Sequence, residues 1–416
     1  MRGRITLLLA LSLVVCPPPA GAERASAPLS LGTAVEQAVQ SASYQAARAR
    51  TEAAAGALDQ AGRLPNPLLE VREENWQPND QSGDAHVDID VFATLTQPVE
   101  LPGKRAARSA AAAASLDAAQ AERSQTARQL VVETARAYLG AVGARELRHS
   151  LGAQREALQT LVTAMQRRVR EGHTAEADLM KLRTETARLD LQLVEASREL
   201  RRQTAALAVL AQEPGPVDAA RLQEPPPLEP PSGDTATGDG VDVQQLAEIR
   251  AARARREQAY QELLLERARR FPDPNVTAGY KRTAGVNTIV TGVSVPIPVF
   301  DRNSGNVTRA AAEECAAALD LDVLSRRAAA EAAVQIAAAR DLAVRARTVD
   351  AEFLEPARVV RDAARSAFRE GAADVLRLVD AERVYAEAQR ETLDLKHEAY
   401  AQALEAHLLV NEEFRP

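Results

Sequence analysis

The chain has 416 residues, 46% of them hydrophobic, 26% charged and only 3% aromatic, with a formal net charge of −7. That mildly acidic balance, with glutamates and arginines interspersed, excludes a nucleic-acid binder, which would show a basic patch or stripe. An alanine-rich composition with a single Trp suits long helices packed closely side by side better than the core of an ordinary globular enzyme.

The first residues read as an export signal. Arg2 and Arg4 precede an apolar run from Ile5 to Val15, too short to span a bilayer, and Ala20-Gly21-Ala22 has the small-x-small form of a cleavage site. Residues 1–22 are therefore expected to be a signal peptide. The alternative makes Cys16 the lipidated residue of a lipoprotein signal, but Val15 before it is larger than the residue such processing prefers. Cys315 then has no partner and reads as a small packing residue in an Ala-rich helix. No later stretch reaches the roughly 18 consecutive apolar residues of a membrane-spanning helix.

The rest of the chain repeats itself. Leu64-Pro65-Asn66-Pro67 has a counterpart in Phe271-Pro272-Asp273-Pro274, Gln97-Pro98-Val99 in Ile297-Pro298-Val299, and Arg170-Glu171-Gly172 in Arg369-Glu370-Gly371. Each half reads as a helix, a Pro-x-Pro break, two strands, a Pro-rich turn and a long helical pair. The expected repeats are 23–213 and 241–416. The segment 214–240 between them, dense in Pro, Gly, Ser and Asp, is expected to be a linker or irregular surface layer.

The strand candidates alternate. Between His86 and Gln97, Val87, Ile89, Val91, Ala93 and Leu95 share one face, while His86, Asp88, Asp90, Phe92, Thr94 and Thr96 share the other. Leu69 and Val71 alternate with Glu70 and Arg72. Val276, Ala278 and Tyr280 alternate with Thr277, Gly279 and Lys281, and Ile289 and Val293 lie on the face opposite Val290 and Gly292. One apolar and one polar face suits a transmembrane barrel or a soluble antiparallel sheet with one wet side. Export without membrane helices favours the barrel.

The helical stretches are long. No proline occurs from Gly103 to Glu213, and Gly140, Gly143 and Gly152 are expected to mark a fold-back between two helices of about 45–60 residues, against an ordinary mean of about 11–12. The Arg-Glu-Gly triplets are expected to open the second helical stretch of each half, and Pro356 to fall near the corresponding turn. Leu179, Leu182, Leu189, Leu193, Ala196, Leu200, Leu207 and Leu210 follow the 3-4 spacing of a coiled-coil seam. Val375, Leu378, Val379, Tyr385, Leu393, Tyr400, Leu404 and Leu408 form a similar stripe.

Four strands cannot close a membrane barrel, since such barrels begin at about eight. An open sheet in lipid would leave edge N–H and C=O groups unpaired at several kcal/mol each. Several copies must share one barrel, with the helices continuing as a water-exposed tube. The physical reading is an oligomeric conduit through an outer membrane.

The Pro-x-Pro before the first strand, "QPVELPGKR" at Gln97–Arg105, "PIPVFDRNSGN" at Pro296–Asn306 and "REGAADVLRLVDAER" at Arg369–Arg383 resemble the outer membrane factor family, the TolC-type efflux ducts. The likeness runs from about Leu29 to Val410, and the wording of the two Pro-rich stretches is most like the heavy-metal efflux branch. The resemblance implies a mainly α, internally duplicated fold. In it a long coiled-coil α-barrel is joined to four strands per protomer of a homotrimeric, 12-stranded outer-membrane β-barrel. It implies an outer-membrane location extending into the periplasm, contact with outer-membrane lipid, and docking to a periplasmic adaptor (membrane fusion protein) bound to an inner-membrane pump of the resistance-nodulation-division type. The implied function is passive conduction of heavy-metal cations to the exterior. The alternatives are a duct for drug efflux or type I protein secretion and, beyond the family, an exported structural coiled-coil protein.

The family closes its periplasmic end with inward-coiled helices and acidic residues. Carried over position by position, the resemblance points to Asp178, Lys181, Phe368, Arg377 and Asp380 as aperture residues. Phe368 stands where the family often has Tyr, and Arg377 where it usually has an acid. Asp178 and Arg377 are expected either to pair across neighbouring helices as a latch or to be ordinary solvated charges.

No catalytic set is expected. The five histidines are scattered, none sits i, i+4 to another, and no Cys-x-x-Cys, phosphate loop or nucleophile elbow occurs. No metal site or cofactor is expected. His86, Asp88 and Asp90 read as polar lumen lining that a passing cation touches without tight binding. A periplasmic adaptor would need a β-rich domain between the arms of one helical hairpin, which this tandem layout lacks.

Overall fold

The computed structural model describes residues 27–74, 90–231, 242–283 and 285–410. The expected signal peptide with Cys16, and the strand residues His86 and Asp88, lie outside the described residues.

Helices α1 (Leu31–Ala38) and α2 (Ala42–Ala61) lead to strands β1 (Leu68–Glu74) and β2 (Asp90–Pro98), then to α3 (Lys104–Arg170) and α4 (Glu176–Leu210). A similar order returns in α5 (Ala247–Ala268), β3 (Asn275–Thr283), β4 (Val286–Ser294), α6 (Ser304–Val349), α7 (Glu355–Arg369) and α8 (Val375–Val410). The strands form one antiparallel sheet in the order β1-β2-β3-β4. The two halves meet at β2–β3, and among the described residues β1 and β4 pair with no further strand. Toward the sheet, α3 packs against α2 and α5, with α6 beyond α5. Away from it, α3 packs against α4 and α8, with α7 beyond α8.

The expected fold-back at Gly140, Gly143 and Gly152 does not occur. All three glycines lie inside α3, which runs for 67 residues, about 100 Å at the usual rise. Glycine in a helix costs about 1 kcal/mol relative to alanine without breaking it. At Gly140 and Gly143 the missing side chains are filled from the two flanks. A Cβ at Gly140 would stand 2.8 Å from Gln203 Cδ on α4, and one at Gly143 would collide with the His397 imidazole on α8.

The reversals fall at the Arg-Glu-Gly triplets, which close α3 and α7 rather than open the following helices. Gly172 and Gly371 adopt φ of +75° and +77°, the left-handed region where a side chain is strained. The His173 N–H donates to the Arg168 carbonyl at 2.9 Å and the Gly172 N–H to Val169 at 3.0 Å; Ala372 to Ala367 and Gly371 to Phe368 reproduce the pair at 2.8 and 3.2 Å. Both ends are Schellman caps.

Nor does the chain reverse at Pro356. α6 passes through a π-helical segment, Asp350–Leu354, into α7, whose second residue is Pro356. The wider π turn accommodates the missing N–H and the bulk of the proline ring.

The expected seam is buried at Leu179, Leu182, Leu189, Ala196, Leu200 and Leu207. At the end remote from the sheet it joins Leu158, Met165, Val375 and Leu378 in one cluster. A second cluster surrounds Tyr138. Residues 214–231 run mostly exposed along the surface, anchored where Val217 and Leu222 are buried in that cluster and where the Leu29 N–H donates to the Arg221 carbonyl at 2.8 Å. Tyr138 Oη lies 2.6 Å from the Gln223 carbonyl and 2.8 Å from that of Leu29, and burial raises its phenol pKa.

Candidate functional site

The sheet is the first part of the site. Its register aligns Val71, Ala93, Tyr280 and Ile289 across all four strands. Leu69, Leu95, Val276 and Val293 lie on the same face, as the alternation predicts. This apolar face is open: Ile289 is 84% and Val293 69% exposed. The other face is polar. Arg72 pairs with Glu70 at 2.6 Å, the Thr96 and Thr277 hydroxyls lie 3.0 Å apart, and Lys281 Nζ stands 4.6 Å over the Phe92 ring. Asp90 is buried at the end of β2 on this polar face, opposite Glu74. Among the described residues no helix is long and apolar enough to cross a membrane. The apolar sheet face is thus the feature suited to lipid.

The tip formed by the two reversals is the second part. Asp178 pairs with Lys181, one turn along α4, at 3.1 Å. Among the described residues no ion pair within the chain joins Asp178 to Arg377. The Arg377 N–H instead donates to the Asp374 carboxylate at 2.9 Å, at the start of α8. Arg377 and Asp380 are exposed. Phe368 is buried in the cluster with Leu378 and Val379, so it holds the tip together.

Two buried acids above the tip escaped sequence reasoning. Glu185 on α4 accepts from Arg383 on α8 at 2.6 and 2.9 Å and pairs with Arg188 at 3.4 Å. Glu382 on α8 takes a two-pronged contact from Arg365 on α7, one prong at 2.9 Å. The Glu185 and Glu382 side chains are each only 4% exposed. The available signal was an acid at a seam position: Glu185 falls between Leu182 and Leu189, and Glu382 follows Leu378 and Val379. A charge inside an apolar stripe needs a buried partner.

His397 fills the Gly143 notch. Burial holds its pKa below the ordinary imidazole value. Asp394 on its own helix and Glu224 pull it back up, and Lys396 pushes it down. A lowered folded-state value means that the unfolded chain binds more protons in the window below about 6.5. Stability from His397 is therefore complete above that pH and falls as the pH drops through it. The thermal midpoint between pH 7.5 and 5.5 should fall more steeply for the native chain than for His397→Asn. Gly143→Ala should cost about 1–3 kcal/mol by overpacking, more than Gly140→Ala, because a flexible glutamine end yields where a ring cannot.

Among the described residues no three His, Cys, Asp or Glu side chains gather to hold a metal ion. The chemistry available is that of a wall: apolar on one sheet face and polar on the other.

A family model described as "Outer membrane efflux protein" matches residues 33–211 and 243–406. The chain is similar to the cobalt-zinc-cadmium resistance protein CzcC of Cupriavidus metallidurans, 28% identical over 300 residues, which span 70% of this chain and 68% of that protein. It is 29% identical over 303 residues to the nickel-cobalt-cadmium resistance protein NccC of Alcaligenes xylosoxydans, spanning 71% of this chain and 65% of that one. In fold it is similar to the outer membrane protein VceC of Vibrio cholerae, with a TM-score of 0.74 at 23% identity, covering 91% of this chain and 95% of that one. It is similar also to CusC, with a TM-score of 0.73 at 16% identity and 92% of each chain covered.

Proposed function

The chain belongs to the outer membrane efflux protein family, and from that premise we propose that it is the outer-membrane duct of a tripartite system exporting heavy-metal cations. It is a passive channel component of the outer membrane that extends into the periplasm, not an enzyme. One observation supports the duct reading: a four-stranded sheet, apolar on one face and polar on the other, whose edge strands pair with no further strand among the described residues. Three copies, a homotrimer, supply twelve strands and remove every edge. The cation class rests on the two metal-resistance relatives.

Relatives in this family work with a periplasmic adaptor and an inner-membrane pump, and the pump here is proposed to be of the resistance-nodulation-division type. His86, Asp88 and Asp90 line the lumen in this reading, and residues 23–213 and 241–416 are its two repeats. Asp178, Lys181, Phe368, Arg377 and Asp380 form the periplasmic aperture. Lys181 steadies Asp178, which leaves the exposed Arg377 and Asp380 to face the next copy.

The test deletes the gene from its host and restores the full chain. Tolerance of cobalt, zinc, cadmium or nickel should fall several-fold on deletion and return on complementation. A loss confined to hydrophobic drugs, or to a secreted protein, would replace the cation by that cargo.

A further inference from the structure

The two halves of the chain leave the sheet through matching turns that differ in charge. After β2 the chain runs Val99-Glu100-Leu101-Pro102-Gly103-Lys104-Arg105 into α3, and after β4 it runs Val299-Phe300-Asp301-Arg302-Asn303-Ser304-Gly305 into α6. Both helices start behind a residue of positive φ, Gly103 at +96° and Asn303 at +56°. The turn itself therefore does not need the basic pair Lys104 and Arg105, whose counterparts are Ser304 and Gly305. Lys104 has a local use, with its Nζ 2.8 Å from the Asp273 carboxylate. Arg108, one turn on, is bound to Glu100 and donates to the Ala61 carbonyl at 2.8 Å. Arg105 is exposed, and among the described residues no carboxylate or carbonyl takes its guanidinium.

Arg105 lines a cleft of about 600 Å³ whose apolar wall includes Leu64, Val99 and Leu101. The other charged group there, Glu100, is taken by Arg108, and the Gln97 amide donates to the Pro65 and Pro98 carbonyls at 2.9 Å each. That leaves one uncommitted cation beside an apolar wall. Gln97 and Val99 continue the series Val91, Ala93 and Leu95 of the apolar sheet face, so the cleft lies directly below the face suited to lipid. Val99 stands six residues beyond Ala93, in the row that carries Ile289. That is about 20 Å along the strand, or about 15 Å along the membrane normal at a tilt of about 40°. Half the hydrocarbon core of a bilayer is about 15 Å thick. The cleft thus sits where acyl chains give way to headgroups.

We propose that this cleft binds one phospholipid of the adjoining membrane leaflet, its phosphate diester on Arg105 and an acyl chain against Leu64, Val99 and the sheet face above. A guanidinium offers paired N–H donors to phosphate oxygens, and the two charges meet at the edge of a low-dielectric layer. Basic pockets at a membrane boundary hold anionic headgroups on the same grounds. A lipid whose headgroup carries only the phosphate charge, such as phosphatidylglycerol, is favoured over phosphatidylcholine, whose own ammonium already neutralises the phosphate. The site occurs once in each copy: the second turn has Gly305 in place of Arg105, and its Arg302 is turned back on the Pro298 carbonyl at 3.4 Å. This inference rests on the duct reading, which puts the apolar sheet face in lipid, and adds to it a ligand and the residue that selects it.

The full-length chain, purified in a neutral detergent, is titrated with phosphatidylglycerol, phosphatidylcholine or inorganic phosphate while its thermal midpoint is followed. Phosphatidylglycerol should raise the midpoint to a plateau, and native mass spectrometry should count one bound lipid per copy. Phosphatidylcholine should need a several-fold higher concentration for the same rise, and inorganic phosphate should give none. Arg105→Gln should keep the lipid-free midpoint, since that side chain has no partner to lose, and should weaken phosphatidylglycerol several-fold. Arg270→Gln, which removes another exposed arginine outside the cleft, should bind it as the native chain does. Equal binding by Arg105→Gln and the native chain would overturn the proposal. So would phosphatidylcholine matching phosphatidylglycerol, or inorganic phosphate reproducing the rise. In each of those cases a trimer in detergent, by light scattering, leaves the duct reading intact. A chain that is soluble and monomeric without detergent would overturn both.

Discussion

Ile289→Arg is expected to keep the protein out of the outer membrane. Ile289 is 84% exposed in the single chain and sits at the middle of β4, on the face shared with Val71, Ala93 and Tyr280. On a soluble sheet, a surface change of this kind would move stability by no more than about 0.5 kcal/mol. On the lipid face of a barrel, an arginine near the bilayer midplane costs about 2–4 kcal/mol, and a ring of three copies meets that cost three times. The expected result is loss of the protein from the outer-membrane fraction together with loss of metal tolerance. Thr288→Arg, one residue away on the polar face, should insert normally, since charge there meets water. Equal insertion of the two variants would mean that the apolar face does not meet lipid.

Arg365→Leu is expected to be the most damaging single change in the helical part. The Arg365 side chain is 19% exposed and grips Glu382, which is 4% exposed, through two guanidinium nitrogens. Removing the cation leaves a buried carboxylate without its partner, at a cost of about 3–5 kcal/mol. Arg365→Leu combined with Glu382→Leu removes both charges and should recover most of that loss, because a buried ion pair is worth little more than a well-packed apolar pair. Thermal unfolding in detergent of the native chain, both single variants and the double variant closes the cycle. If Arg365→Leu matched the native chain in midpoint, the contact would be a solvated pair and the tip would be held by its apolar cluster alone. Arg383→Leu against Glu185 should show the same sign with a smaller effect, since the Arg383 side chain is 49% exposed and water screens what it leaves behind.

These buried pairs bear on how the tip holds its shape. Glu185 ties α4 to α8 and Glu382 ties α8 to α7, so the two hairpins ending at Gly172 and Gly371 are cross-braced within one protomer. Asp178, spent on Lys181, is not part of that brace.

Much of this protein was determined by local pattern. A period of two assigned each strand residue to its face, because successive side chains must point to opposite sides. The 3-4 spacing from Leu179 to Leu207 marked the buried seam of α4. The repeated triplets marked helix boundaries but not the reversals, which the sequence put at the α3 glycines and Pro356; the chain turns at Gly172 and Gly371, where a residue tolerant of positive φ closes each helix. The proposal of more than one copy also came from four strands and their unpaired edges. What local pattern could not decide was anything set by a neighbour far along the chain. Gly140, Gly143 and Gly152 read as breakers but stay helical, because Gln203 and His397 fill two of the notches from other helices. Pro356 reads as a turn but is absorbed by a π turn. The order β1-β2-β3-β4 and the partners of Glu185 and Glu382 each depend on which elements come to lie side by side. That is settled by packing between whole elements, from Arg365 and Glu382, 17 residues apart, to Glu185 and Arg383, 198 apart, where single-residue propensities of about 1 kcal/mol or less are outweighed by buried contacts.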